Sequence, residues 1–358
     1  MAYSSIAKPT DHFNTKLYTG NGSTNALTGV GFQPDLVWAK SRSQGNSHVL
    51  FDVIRTFAGN KEIQSNNDGA EGASDSAGYG YISAVGADGF TAKAGTSGGD
   101  YTNVNSQNYV AWNWKAGGGQ GSSNTDGSIN TTYTSANTTA GFSISKYTGT
   151  GSNATIGHGL GVAPSMVITK QLGESRDWAV YYRAMGAGNY MNLNASGGET
   201  SSSTHWNSTD PTTTVFSVGT SNQTNKSSGV YIAYCFAEIK GYSKMGKYVG
   251  NGNTNGPFAY TGFKPAWIMW KKHNTANEGW MMWDNKRSVD NPNDKYMTAN
   301  GTGADSTRDT FDMLSNGFKI RTSNGDSNQS DSKYYYLAFA ENPFVANDSG
   351  TAVPVTAK

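Results

Sequence analysis

The sequence predicts an all-β fold of tandem β-sandwich or jelly-roll-like modules in three repeats, and three observations carry the prediction. A Tyr-x-Gly-x-Gly pattern recurs at Tyr18–Gly22, Tyr147–Gly151 and Tyr248–Gly252. Apolar residues in the segments that follow alternate with period two, the spacing that lays one face of a strand on a core. Finally, 45 glycines coexist with 12% aromatic residues spread along nearly all of the 358 positions, which suits short strands and tight turns rather than disorder. No window sustains helical spacing with caps.

Taken in order, residues 1–16 form a short N-terminal arm in which Pro9, His12 and Phe13 are candidates for a docking peptide. Module one spans 17–117, a Gly/Ser/Asn/Thr-rich stretch over 118–141 reads as a linker, module two spans 142–243, module three 244–345, and 346–358 is a tail. Each module opens on its Tyr-x-Gly-x-Gly, where alternate glycines suit a tight hairpin. A turn with proline then leads into a strand closing on lysine six residues later: Pro34 to Lys40, Pro164 to Lys170, Pro265 to Lys271. A middle strand carries Phe51, Trp178 or Trp280, and a second aromatic follows at Phe90, Phe216 or Phe318. The closing strand reads Tyr109-Val110-Ala111-Trp112, Tyr231-Ile232-Ala233-Tyr234 and Tyr336-Leu337-Ala338-Phe339. No flexible insert separates copies two and three around Ile239–Lys244, so these two are expected to pack as a rigid pair.

Charge and motifs remove several functional classes. Charged residues make up 15% and the formal net charge is +1, far from the basic footprint that neutralises a phosphate backbone, so nucleic acid is not an expected partner. The N-terminus lacks the pattern of a signal peptide and no stretch is apolar enough to span a bilayer, which predicts no membrane insertion and a start in the cytoplasm. The lone Cys235 lies in an apolar strand and is expected to be a buried small hydrophobe. Gly241–Lys247 imitates a phosphate-binding loop, but Tyr248 stands where a magnesium-binding hydroxyl belongs and a strand follows instead of a helix. The five histidines are scattered without metal-ligand spacing and no nucleophile elbow is present; a pair of carboxylates such as Asp210 and Glu199 could flank a glycosidic bond, but sequence does not set the separation that this chemistry demands. The expectation is therefore no enzyme, no catalytic residues, no cofactor and no metal; the Asn/Asp-rich loops at Asp290–Asp294 and Asn324–Asn328 read as turns.

One surplus stands out. Trp206, Trp280, Trp283 and the run Tyr334-Tyr335-Tyr336, with Tyr334 as its candidate, exceed what a one-faced core alternation absorbs. Exposed rings of this kind stack on sugars or anchor interfaces.

The segments Phe142–Gly151, His158–Pro164, Tyr231–Glu238, Tyr260–Pro265 and Ala338–Phe344 resemble the repeats of tail fibre and virion structural proteins of marine bacteriophages of the cyanophage type, over roughly residues 13–345. The resemblance implies a virion component, assembled in the host cytoplasm, with other virion proteins as partners and a homo-oligomer, a trimer, as its expected state. It supplies no catalytic residues. The chain lacks the heptads of a coiled-coil shaft, so a compact appendage is as consistent with it as a fibre. The leading expectation is a tail fibre or exterior appendage that helps host attachment, with a surface glycan as candidate ligand. The alternatives are a purely architectural capsid decoration or tail protein and, third, a polysaccharide depolymerase.

Overall fold

The computed structural model describes residues 4, 6–275, 278–343, 345–348 and 351–354, and they are nearly all β. Each module is a sandwich. In the first, a main sheet in the order Phe13–Thr19, Asn108–Trp114, Leu36–Ser41, Val49–Asp52 is covered by Thr24–Thr28, Gly89–Lys93 and Tyr81–Gly86. The second repeats the main sheet with Phe142–Thr148, Val230–Phe236, Met166–Gln171 and Ala179–Tyr182, extends it at both ends, and is covered by Ala154–Gly157 paired to Val215–Val218. In the third, main and covering strands join into one eight-stranded sheet that curls into a nearly closed, barrel-like form.

The registers show which positions match. Tyr18 faces Tyr109, Tyr147 faces Tyr231 and Tyr248 faces Tyr334, each pair stacked with ring centroids 5.2, 5.1 and 4.7 Å apart. The closing segment of copy three is therefore Tyr334-Tyr335-Tyr336-Leu337, two residues earlier than its sequence resemblance to the other copies indicates. A slip of two preserves the face, so period-two alternation gave no warning. The middle strand needs the same kind of correction: His48, not Phe51, matches Trp178 and Trp280, because the backbone N–H of all three is held by an amide oxygen, from Asn66, Asn194 and Asn300 respectively, at 2.9, 3.0 and 2.8 Å.

The recurring Tyr-x-Gly-x-Gly has a physical cause. The tyrosine hydroxyl donates to the carbonyl of Thr102, Thr224 or Ser327, and the buried amide of the next residue, Asn103, Asn225 or Asn328, accepts the N–H that follows the first glycine. That clamp brings the loop so near that a Cβ on Gly20, Gly149 or Gly250 would lie 2.1, 2.4 or 2.2 Å from a backbone oxygen. The second glycine adopts φ of 70°, 75° or 67°, a left-handed conformation that L side chains rarely adopt.

Above the modules stands a shared core. The outer face of each main sheet packs under its own covering strands, while the opposite face meets the other two modules. Trp114, Phe236 and Phe339 occupy matched positions and touch one another with centroid separations of 6.4, 5.8 and 6.1 Å. Around this triad Leu36, Trp38, Ile168, Tyr234, Trp267 and Met269 close over a cavity of about 20 Å³. The seams run cyclically: Trp178 of module two donates to Gln64 O of module one at 3.0 Å, Trp280 of module three to Asn192 O of module two at 2.9 Å, and Trp112 of module one to Asp284 of module three at 3.0 Å. All three modules, rather than two and three alone, pack against one another.

Two further expectations change. The stretch 118–141 is folded: Tyr133–Asn137 adds an edge strand to the second main sheet, Ile129 bridges Ile156, and its polar groups bind locally, as when Asn124 N donates to Thr131. The low-complexity composition concealed Ile129 and Tyr133, two apolar anchors sufficient to lay it down. The N-terminal arm is likewise internal. Pro9 is buried, His12 is half-buried with its ring edge on Tyr242, and Phe13 is wholly buried against Trp114, Trp267 and Phe339. Ile6 joins the same shared core. Two apolar side chains inserted where the modules converge leave Phe13 no role as a peptide for docking another protein. The candidate tail 346–358 falls partly outside the described residues; Val345–Asp348 and Thr351–Pro354 pair as a hairpin.

Candidate functional site

All four aromatics singled out in the sequence are buried. Trp206, 1% exposed, closes the second module's outer core beside Tyr181, and Trp283, 0%, stacks on Trp270 at 3.7 Å. Trp280, 2%, lies in the shared core, and Tyr334, 0%, donates to Gly325 O while accepting from Gln329 N. The alternation argument assumed one buried face per sheet. With two, both parities of a strand are core and the surplus vanishes. Cys235 is buried as expected, its thiol pushed up to about 12 by burial. Asp210 is engaged structurally, accepting from Tyr181 OH and Ala187 N at 3.0 Å each. Among the described residues no cluster of His, Cys, Asp or Glu could hold a metal.

Chemistry collects instead at the seams, through a pattern the sequence reading missed. Five residues after Asn66, Asn194 and Asn300 stands an acid: Glu71, Glu199 and Asp305. The backbone N–H of each donates to a carbonyl of the neighbouring module, of Leu172, His273 and Arg42, at 2.9, 2.7 and 3.0 Å. The spacing is visible in the sequence once the asparagines are aligned. The side chains then diverge. Asp305 joins Arg42 at 2.6 Å and the buried Arg287 at 2.9 Å, and Arg287 in turn joins Asp284. Glu71 meets Arg55 and Lys61 at 3.4 and 3.2 Å.

At the seam of modules two and three, no guanidinium among the described residues meets the matching acid. Glu199 Oε2 accepts the Tyr335 hydroxyl at 3.1 Å and lies 3.0 Å from His273 Nδ1, without the geometry of a hydrogen bond. Burial, then the nearby ammonium groups of Lys333 and Lys247, lower His273 to about 4, so the ring is neutral near pH 7 and the contact is no ion pair. His273 stacks on Tyr335 at 3.7 Å, and Tyr335 stacks on Tyr182 at 4.6 Å. Both faces of Tyr335 are occupied, so it offers no platform to a ligand.

Beside this pile the seam opens into a cleft of about 800 Å³ walled by Asn189, Glu199 and Ser201 of module two and Lys247, Val249, Asn274 and Lys333 of module three. The strand registers explain the opening. Lys247 pairs with Tyr335, and Val249 with Lys333, so all four share the face that is core further along. Module two covers Tyr335 but leaves Lys247, Val249 and Lys333 exposed. The arrangement can bind: two ammonium groups, three amides or hydroxyls, and a single carboxylate. It holds no nucleophile with an adjacent base.

A family model described as Domain of unknown function (DUF7483) matches residues 8–343, across all three modules. No curated protein and no solved structure matches the chain.

Proposed function

The chain belongs to the DUF7483 family, and from that premise we propose that it is a bacteriophage virion surface protein, a compact exterior appendage or tail fibre component contributing to host attachment. The observation that carries the proposal is the shared core: Trp114, Phe236 and Phe339 bind three sandwiches into one rigid, three-part body from a single chain. Such a body presents many short turns outward on a scaffold that does not yield, a form suited to a particle exterior. Its partners are other virion proteins. Attachment runs through polar loops and the open seam, since the aromatic candidates are interior. Their burial also favours the second reading, an architectural decoration or tail protein without a ligand.

Cryo-electron microscopy of the assembled particle tests the proposal. Density for the three-module body on a projecting tail structure supports attachment; the body lying flat on capsomers supports decoration. Absence of the chain from purified virions defeats both. Because one chain already completes the threefold arrangement, a homotrimer is not needed to form it, and light scattering will distinguish one 38.0 kDa chain from a trimer.

A further inference from the structure

We propose that the cleft between modules two and three is a binding site for an acidic oligosaccharide, with Lys247 and Lys333 engaging its carboxylate or sulfate groups and Asn189, Asn274 and Ser201 its hydroxyls. The inference names a ligand for the open seam and rests on the attachment reading only for its biological purpose.

Four observations meet here. Lys247 and Lys333 are exposed, line the cleft and make no ion pair among the described residues, although the chain as a whole is close to neutral. The one carboxylate in the cleft, Glu199, is turned to the Tyr335 hydroxyl at 3.1 Å and the His273 ring at 3.0 Å. Lys247 pairs with Tyr335 and Lys333 with Val249 on one face of the two strands, two residues apart, which places both ammonium groups at the same end of the cleft. And His273, 8% exposed, keeps a buried Nδ1 without a hydrogen-bond partner beside the cleft wall.

The ligand class follows from what the cleft offers and withholds. Two cations without an internal partner call for an anion. Ser201 donates to Asn189 Oδ1, Asn189 Nδ2 to Met185 O and Lys333 N to Asn274 Oδ1, which leaves the second N–H of Asn189, the amide N–H groups of Asn274 and the lone pairs of Ser201 Oγ to meet the hydroxyls of a sugar. The aliphatic side chains of the cleft are Ala184 and Val249, and the Tyr335 ring is closed on both faces. A peptide adding itself to the edge strand Ser243–Val249 meets an obstacle, because Tyr182 OH already donates to Gly246 O at 2.8 Å. An opening of about 800 Å³ accommodates a ligand of several sugar units.

Isothermal titration calorimetry with tetragalacturonate, maltotetraose, inorganic sulfate and a penta-aspartate peptide tests the assignment on the full chain. Tetragalacturonate is expected to bind, with the affinity of Lys247→Gln/Lys333→Gln lowered at least tenfold and the melting temperature of that variant unchanged. Lys16→Gln, in a different cleft, is expected to bind as the parent does. No heat with tetragalacturonate, or undiminished binding by the double variant, overturns the proposal. Equal affinity for maltotetraose removes the need for the acid, equal affinity for sulfate removes the saccharide, and tighter binding of the peptide replaces it; each of these also overturns the assignment. A chain that binds tetragalacturonate yet is absent from virions leaves the cleft standing and defeats the virion reading, whereas the converse result does the opposite.

Discussion

Asn225, buried from solvent, makes three hydrogen bonds through its side chain and one through its backbone carbonyl: Oδ1 accepts from Thr150 N–H, Nδ2 donates to Ser152 O and Gly219 O, and the carbonyl accepts from Gly151 N–H. Its counterparts Asn103 and Asn328 do the same work in the other modules. None of the three was legible, since asparagine in a Gly/Ser/Asn-rich chain looks like turn filler, whereas the glycines they draw close were conspicuous. Gly250→Ala places a methyl group 2.2 Å from Gln329 O and is expected to cost at least about 2 kcal/mol in a denaturant titration. Gly188→Ala, with nothing within 4 Å of the added carbon, serves as the control and should change little. The lysines that close each central strand supply a second residue-scale expectation. Lys40, Lys170 and Lys271 are buried; burial lowers them to about 7, 8 and 8, against partial compensation from Asp305, Asp68 and Glu278. Their unfolded value is about 10.4. Between these values the unfolded chain holds more protons than the native one, so stability rises with pH. Melting temperature is expected to climb from pH 7 to 9, with Lys271→Met flattening the climb; a fall over that interval refutes the assignment. Above about pH 10 the buried tyrosines, held protonated only in the native state, turn the trend downward.

Strands were legible where period two met a fixed landmark. Pro34, Pro164 and Pro265 with their lysines placed the central strand of each module, and the registers Leu36↔Trp114, Met166↔Phe236 and Trp267↔Phe339 show that strand in the same place three times. What alternation cannot show is whether the second face is also covered, and Trp280 and Trp283 were misassigned on that account. Nor does composition distinguish a tether from a strand whose neighbours are polar: Tyr133–Asn137 pairs residue by residue with Phe142–Lys146 inside a segment rich in Gly, Ser and Thr. Replacing residues 118–137 with a Gly/Ser chain of equal length strips this edge strand and the Ile129 contact. The expected result is a loss of about 2 kcal/mol or more, because Ile129 alone accounts for a buried aliphatic side chain, and faster hydrogen exchange of the Phe142–Thr148 amides. A true tether would show neither change.

At the scale of the molecule, three cores of modest size are secondary to a fourth that no module has alone. Module one would expose Trp112 and Trp114 without its neighbours, module two Phe236 and Tyr234, module three Trp267 and Phe339. Phe339→Ala, at the point where the three meet, is expected to cost about 3–5 kcal/mol and to lower a single unfolding transition rather than split it. Two resolved calorimetric transitions in the parent would show instead that the modules unfold separately. The all-β sandwich class was readable from the chain. The convergence was not, because contacts between copies leave no period in a sequence, even though Phe13 and Phe142 open their first strands at matched positions opposite Trp114 and Phe236.

The cyclic seams have a consequence for how this body can change. In a ring of identical subunits every substitution is written at each interface at once, so a contact cannot be given up at one without being lost at all. Here one seam rests on Arg42, Asp305 and Arg287, another on Arg55, Asp52 and Tyr234, and the third on stacked His273, Tyr335 and Tyr182. Two can hold the assembly while the third drifts, which makes the junction of the second and third modules the place where such a molecule can try out new surfaces without coming apart.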